Sequence, residues 1–159
     1  MSGPTPASQW ELDLQTSITG SRWSIIISSV RKLIKSAPLI EHQKTIYRWY
    51  MVPLRLYKIY PHTSVTCWRC KQDKGSVLHI WWRCPRLIRY WEDTQKIIVE
   101  ATGIQIPFDP KIFLLLDIPK GIPTKSKKLM YHVLLTAQKL IAQRWKMNET
   151  PSIPNLIQE

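Results

Sequence analysis

Apolar side chains recur every three or four positions in several segments of the chain, which is the spacing of one helix face. This periodicity predicts helices over residues 24–36, 39–51, 54–59, 85–102 and 125–146. Pro38, Pro53 and Pro61 lie at helix ends, since proline fixes φ and donates no backbone hydrogen bond. Gly103 suits the end of the fourth helix. The pattern therefore predicts a mainly α fold.

The same pattern predicts which side chains form the core. The inward faces of the helices are Ile26, Val30, Leu33 and Ile34; Ile46, Trp49 and Tyr50; Leu87, Tyr90, Trp91, Ile97, Ile98 and Ala101; and Met130, Val133, Leu134, Ala137, Leu140, Ile141 and Trp145. Among the histidines, His42, His62 and His132 are expected on the surface or in the core.

Other segments lack this periodicity. Residues 1–9 are polar and contain proline, which indicates a loose tail, and the WELDL segment at 10–14 could dock on the core. The apolar run 112–116 is either a short strand or a buried half-turn, because periodicity alone does not distinguish them. Residues 152–159 start a capped helix that the chain does not continue.

The expected organisation is one small helical domain with an inserted zinc-knuckle-like loop. Its parts are an N-terminal tail or docking segment (1–20), a basic helical segment (21–64), the knuckle-like motif (65–86), C-terminal helices (87–147) and a tail (148–159). At 44% hydrophobic residues the 159-residue chain can bury a core. Its apolar runs are too short to cross a bilayer and its start does not resemble a signal peptide, so an intracellular protein without membrane contact is expected.

Charge adds information about partners. The net charge is +12, and between Arg22 and Arg89 fourteen Lys and Arg residues are opposed only by Glu41 and Asp73. Clustered cations displace counterions from phosphates, so a nucleic acid is the favoured partner. A solvated basic surface that serves solubility is the alternative.

Three cysteines lie within eighteen residues, in the pattern Cys67-x2-Cys70-x8-His79-x4-Cys84. An odd, clustered set argues against a disulfide framework, and a turn across x2 brings two sulfurs to about 3.5–4 Å, as tetrahedral zinc requires. On a continuous α-helix His79 and Cys84 would point about 140° apart. Because Pro85 disfavours helical geometry at Cys84, we expect His79 on a short helix at 76–82 and Cys84 just beyond it.

The expected cofactor is one structural zinc ion, because four protein ligands leave no coordination position for water. Three thiolates, a neutral imidazole and Zn²⁺ carry one net negative charge, which Arg69 and Arg83 beside the ligands would offset. The alternative is a set of three buried, reduced cysteines with a core histidine.

Aromatic and basic residues surround the motif. Zinc knuckles stack unpaired bases on aromatic rings and hold phosphates with Lys and Arg. The predicted nucleic-acid contacts are Trp68, Arg69, Lys71, Lys74, Trp82, Arg83, Arg86 and Arg89. The tryptophans could instead form a small core around the metal loop, which is the favoured interpretation for Trp81 and Trp91.

The segments CWRC (67–70) and LHIWWRCP (78–85) resemble the C-terminal cysteine-rich segment of the endonuclease–reverse transcriptase polyprotein of vertebrate non-LTR retrotransposons (long interspersed nuclear elements). Weaker matches extend the resemblance over roughly residues 10–145: WE (10–11), DL (13–14), RWY (48–50), Pro53, RL (55–56), KI (58–59), IPFDP (106–110) and AQRW (142–145). One departure is that family members often carry an extra residue, with a glycine, between the first two cysteines.

The resemblance implies a segment that follows the polymerase, binds RNA with little sequence preference and supports a ribonucleoprotein in the cytoplasm or nucleus. It implies the same four ligands. Nothing in the chain resembles the polymerase's paired aspartates or the endonuclease's catalytic residues, and no nucleophile–base pair or glycine-rich phosphate loop is present, so no enzyme and no small-molecule substrate are expected. The alternatives are a zinc-stapled scaffold that docks on the polymerase or a host factor, and a relic reading frame without a selected role.

Overall fold

The computed structural model describes residues 6–33, 42–44, 46–48 and 50–144, without the side chains of 30–33. Its helices are α1 (Pro6–Leu14), α2 (Gly20–Leu33), α3 (Pro53–Ile59), α4 (Ile88–Thr102), α5 (Pro110–Phe113) and α6 (Thr124–Arg144). A π-helical turn (His79–Arg83) and a 3-10 turn (Pro85–Leu87) precede α4. Within these ranges the extended backbone pairs at one isolated bridge, Thr66 with Lys74. The predicted mainly α fold is confirmed.

The core forms where α4 packs against α6. Trp91 and Leu134 are fully buried there, and the Tyr90 hydroxyl donates to the Ala137 carbonyl at 3.0 Å. Among the described residues, the predicted inward faces of both helices are buried or half-buried, with one exception. Ala101 is exposed, because it lies in the last turn of α4 and the buried stripe of that helix ends at Ile98.

The N-terminal segment is more ordered than the predicted tail, since α1 already begins at Pro6. Trp10 anchors this helix: it is fully buried, and its indole N–H donates to the Ile46 carbonyl at 2.9 Å. The Arg48 guanidinium lies 4.5 Å from the centre of the Trp10 ring and pairs with Asp13. Burial of Trp10 therefore docks this polar, proline-containing segment on the core as a helix.

Several helix boundaries differ from the predicted ones. The α2 helix begins at Gly20 rather than residue 24, because the Thr19 hydroxyl accepts from the Arg22 amide and caps the first turn. The second predicted helix ends before residue 51, since Arg48 takes the left-handed φ of 54°. The α4 helix ends before Gly103, as predicted, but it begins at Ile88 rather than residue 85, and α3 begins at Pro53, one residue before the predicted start.

The apolar run 112–116 is a buried turn and not a strand. Its first residues complete α5, which begins after the Asp109 cap, and Leu116 then takes a φ of 61°. Residues 1–5, 34–41, 45, 49 and 145–159 lie outside the described part of the chain. The predictions for Ile34, Trp49, Trp145, the first part of the tail and the helix start at 152–159 fall there, as do those for the side chains of Val30 and Leu33. None of the described helices is long and apolar enough to span a bilayer.

Candidate metal centre

The structure brings Cys67, Cys70, His79 and Cys84 together. One ligand atom from each residue lies within 4.8 Å of all the others, and the Cys70 Sγ to His79 Nε2 distance is 3.4 Å. Ligands of a tetrahedral zinc ion lie about 3.8 Å apart, so the observed separations come within about 1 Å of that spacing. All three cysteines are free thiols. These four residues could bind one metal ion.

A tight turn supplies the first two ligands. The Cys67 amide donates to the Asp73 carbonyl at 2.8 Å, and the Lys71 amide donates to the Cys67 carbonyl at 2.9 Å. Lys71 takes a left-handed φ of 58°, which reverses the chain immediately after Cys70. The Arg69 amide also donates to the Cys67 sulfur at 3.3 Å. The backbone therefore holds both sulfurs on one side of the turn.

Gly75 attaches this turn to the helical domain. A Cβ at Gly75 would lie 2.7 Å from Cγ of Pro53, so there is no room for a side chain. Its carbonyl accepts from the Leu54 amide at 3.1 Å, and its amide donates to Val65 at 2.9 Å. The position of the metal turn relative to α3 depends on this close approach.

The second pair of ligands lies at the two ends of the π-helical turn. The predicted helix at 76–82 is present over residues 77–83, but it is wound as a π turn from His79 to Arg83. The Cys84 amide donates to the His79 carbonyl at 2.9 Å, which closes a ring of five residues and brings the two ligands together. Cys84 is extended, with φ −56° and ψ 126°, before Pro85. The prediction that Cys84 leaves the helix is therefore confirmed, whereas the winding was not anticipated.

The surroundings lower the pKa values of Cys84 and Cys70 and raise the pKa of Cys67. The Cys67 thiol donates to the Cys84 sulfur, which lowers the pKa of Cys84 to about 3 despite burial. The same hydrogen bond and burial raise the pKa of Cys67. Burial would raise the pKa of Cys70, but backbone amides of residues 72 and 73 and the His79 side chain outweigh it and lower this pKa. A preformed thiolate is the form that binds a metal ion.

Arg69 is buried, with 2% of its surface exposed. Its Nη1 donates to the Ile80 carbonyl at 3.1 Å, and its guanidinium is one of the groups that, after the Cys67 thiol, lower the pKa of Cys84. This burial disfavours the predicted nucleic-acid contact at Arg69. The sequence pattern cannot separate Arg69 from its exposed basic neighbours, because burial here depends on the turn geometry.

The other predicted contacts divide into exposed cations and packed rings. The exposed basic residues within five positions in sequence of a candidate ligand, named here the cation rim, are Lys71, Lys74, Arg83, Arg86 and Arg89. Trp82 is half-buried, with ring centres 4.8 Å from Phe108 and 5.6 Å from Trp91. Trp68 is half-buried against the core. Trp81 and Trp91 are core residues, as expected.

A groove of about 560 Å³ lies between α1 and α3, and the sequence did not indicate it. Its lining combines the apolar Leu12 and Val77 with the basic Arg55 and Lys58. The Arg55 Nη1 atom donates to the Arg48 carbonyl at 2.7 Å. The groove arises where helices distant in sequence meet, so no local pattern could have revealed it.

No protein-family model matches the chain. Function is therefore inferred from the four grouped ligands and from the charges and exposed side chains around them. Four protein ligands complete a tetrahedral shell, which is the arrangement of a structural metal ion and not of a catalytic one.

Proposed function

We propose that this chain is a non-catalytic nucleic-acid-binding domain, with RNA as its ligand, and that one structural zinc ion holds its binding face. The observation that carries the proposal is that every member of the cation rim is exposed and lies within five positions in sequence of one of the four grouped residues. A metal ion there would fix the backbone from which Lys71, Lys74 and Arg83 project. Metal binding and phosphate binding would thus use the same short segment.

Zinc is the metal that suits the ligand chemistry. Three thiolates and one imidazole form a soft, nearly tetrahedral set, which favours zinc over the oxygen-seeking magnesium and calcium ions. The free thiols and the backbone N–H groups that point at the sulfurs also support thiolate ligation. Because all four positions come from the protein, we assign no catalytic step to this centre.

The distribution of charge supports a nucleic acid as the ligand of the domain. The chain carries a net charge of +12, and the cation rim contains five exposed Lys and Arg residues. The resemblance of CWRC (67–70) and LHIWWRCP (78–85) to the C-terminal segment of non-LTR retrotransposon polyproteins points in the same direction. On this basis the domain is an accessory module of a retrotransposon reverse transcriptase that holds RNA in a ribonucleoprotein, in the cytoplasm or nucleus.

The experiment is zinc stoichiometry on the purified chain, combined with titration of a single-stranded RNA before and after chelation. We expect one zinc per chain and RNA affinity that falls when zinc is removed. If one zinc is bound but RNA affinity does not change on chelation, the RNA-binding face lies elsewhere than at the metal turn. No zinc would refute the metal centre, and no RNA binding would refute the ligand class.

A protein-interaction scaffold is the second candidate function, and exposed apolar side chains favour it. Leu12 at the groove is 77% exposed and Ile59 in α3 is 52% exposed. On this alternative, the domain docks on the retroelement polymerase. Binding of the purified polymerase that is lost in Leu12→Asp, with RNA affinity near zero in the unaltered chain, would favour the scaffold over the RNA-binding domain.

A further inference from the structure

Arg69 is a buried cation that has no carboxylate beside it in the described part of the chain. The ion pairs found there join Arg22 to Asp117, Arg48 to Asp13 and Arg89 to Asp93. The Nη1 atom of Arg69 donates to the Ile80 carbonyl, whereas Nε and Nη2 are buried without a hydrogen-bond partner. A buried charge without a counter-charge is strongly unfavourable. The environment of Arg69 must therefore supply negative charge from another source.

The sulfur ligands are the source that lies within reach. The Arg69 amide donates to the Cys67 sulfur at 3.3 Å, and the Arg69 guanidinium is one of the groups that, after the Cys67 thiol, lower the pKa of Cys84. The side chain and the backbone of one residue thus approach two different ligands. The Arg86 Nη1 atom in turn donates to the Arg69 carbonyl at 3.0 Å, which helps to fix the backbone of Arg69.

The formal charges balance only when Arg69 is included. Three thiolates contribute −3, a neutral imidazole contributes 0 and a divalent ion contributes +2, so the four-ligand centre carries −1. The Arg69 guanidinium brings the buried group to zero. Neutrality of a buried group avoids most of the desolvation cost of an isolated ion.

We propose that Arg69 is the positioning residue and buried counter-cation of this metal centre, which rests on the proposed structural zinc. It neutralises the excess charge of a trithiolate site from a buried position whose backbone also bonds the Cys67 sulfur. Arg83 stands next to the same ligand but is exposed, and its Nη2 donates to the Asp13 carbonyl at 3.3 Å. Arg83 therefore serves as a matched control that lacks the buried contact.

Two substitutions separate charge from hydrogen bonding. Arg69→Gln removes the charge and keeps a donor for the Ile80 carbonyl, whereas Arg69→Lys keeps the charge. The zinc dissociation constant of the full chain is measured by competition with a chromophoric chelator. Because loss of a residue that supports metal ligands weakens metal binding about 10–100-fold, we expect that loss in Arg69→Gln, partial recovery in Arg69→Lys and less than about a threefold change in Arg83→Gln.

Cobalt substitution adds a readout that a merely structural role would not change. A cation beside a thiolate stabilises the sulfur electrons and raises the energy of the sulfur-to-cobalt charge-transfer band. We expect this band to move to lower energy in Arg69→Gln but not in Arg83→Gln. Equal zinc affinities in Arg69→Gln and Arg83→Gln, or a loss in Arg69→Lys as large as in Arg69→Gln, would overturn the proposal. If the unaltered chain still bound zinc, either result would refute the role of Arg69 and not the metal centre.

Discussion

His42 and Gln138 lie 96 positions apart in the chain, and their Nδ1 and Oε1 atoms are 2.9 Å apart in the core. The Gln138 amide nitrogen donates to the carbonyls of Phe113 at 2.7 Å and Leu114 at 3.1 Å. This fixes the amide so that its oxygen faces His42 and accepts the Nδ1 proton. One buried glutamine thus joins α6, the turn after α5 and the helical residues around His42.

This relationship predicts acid sensitivity. Burial lowers the pKa of His42 to about 4 from its ordinary 6.5, although the Gln138 hydrogen bond opposes the shift. Because the folded-state pKa is the lower one, the stabilisation is complete above pH 6.5 and is lost as the pH falls toward 4. A difference of this size corresponds to about 3 kcal/mol of unfolding free energy.

Urea unfolding at pH 7 and at pH 4.5 measures this effect. We expect His42→Gln to lose less stability between the two values than the unaltered chain, by about 2 to 3 kcal/mol. His132→Gln changes an exposed histidine and controls for the acid response of every other group, including the metal ligands. An identical pH response in both variants would contradict the role of His42.

Removal of one sulfur ligand should unfold the metal turn, whereas the helical core should stay folded. In Cys70→Ser we expect loss of bound metal and rapid amide exchange in residues 65–86, because the turn there is short and depends on its metal. Slow exchange should persist where α4 packs on α6, since the Tyr90 hydroxyl donates to the Ala137 carbonyl there and Leu134 is fully buried. His62→Ala, which alters an exposed residue before the turn, serves as control. Full metal content in Cys70→Ser would show that the ligands are misassigned.

Gly75→Ala tests the contact between the metal turn and α3. The added Cβ would meet Cγ of Pro53 at 2.7 Å, and a proline ring has little freedom to move away. Overpacking of this kind costs about 1–3 kcal/mol, which we expect as a lower unfolding free energy and weaker zinc binding. Gly20→Ala is the matched control, because a Cβ there meets nothing within 4 Å. Equal stability of the two variants would show that the turn moves freely against Pro53.

Replacing part of the cation rim should weaken RNA binding in a salt-dependent way. For Arg83, Arg86 and Arg89 changed together to Gln, we expect the slope of log affinity against log salt to flatten by roughly one unit per lost phosphate contact. The control replaces Lys96, Lys125 and Lys128, which are exposed on α4 and α6, and so removes the same charge elsewhere. Equal slopes in the two triple variants would assign the effect to net charge alone. Because Arg86 also bonds the Arg69 carbonyl, zinc content is measured in parallel.

Much of the fold follows from short-range pattern. The apolar spacing of α4 and α6 predicts both helices and most of their buried faces, because a helix face repeats every three to four residues. Pro53 and Gly103 mark helix ends through their own backbone preferences. The ligand spacing likewise identified the four residues that the structure groups. Each of these inferences uses information carried within one continuous segment of about twenty residues or fewer.

Tertiary structure decided the features that depend on distant partners. The start of α1 depends on Trp10 meeting Ile46, and the burial of Gln138 depends on His42 and the turn after α5. Arg69 and Lys71 are both basic and close in sequence, yet one is buried at the sulfurs and the other is exposed. Sequence records which charges and hydrogen-bonding groups a segment contains. Which of them is buried depends on what the rest of the chain packs against it, since the cost of burial is set by the surroundings and not by the residue.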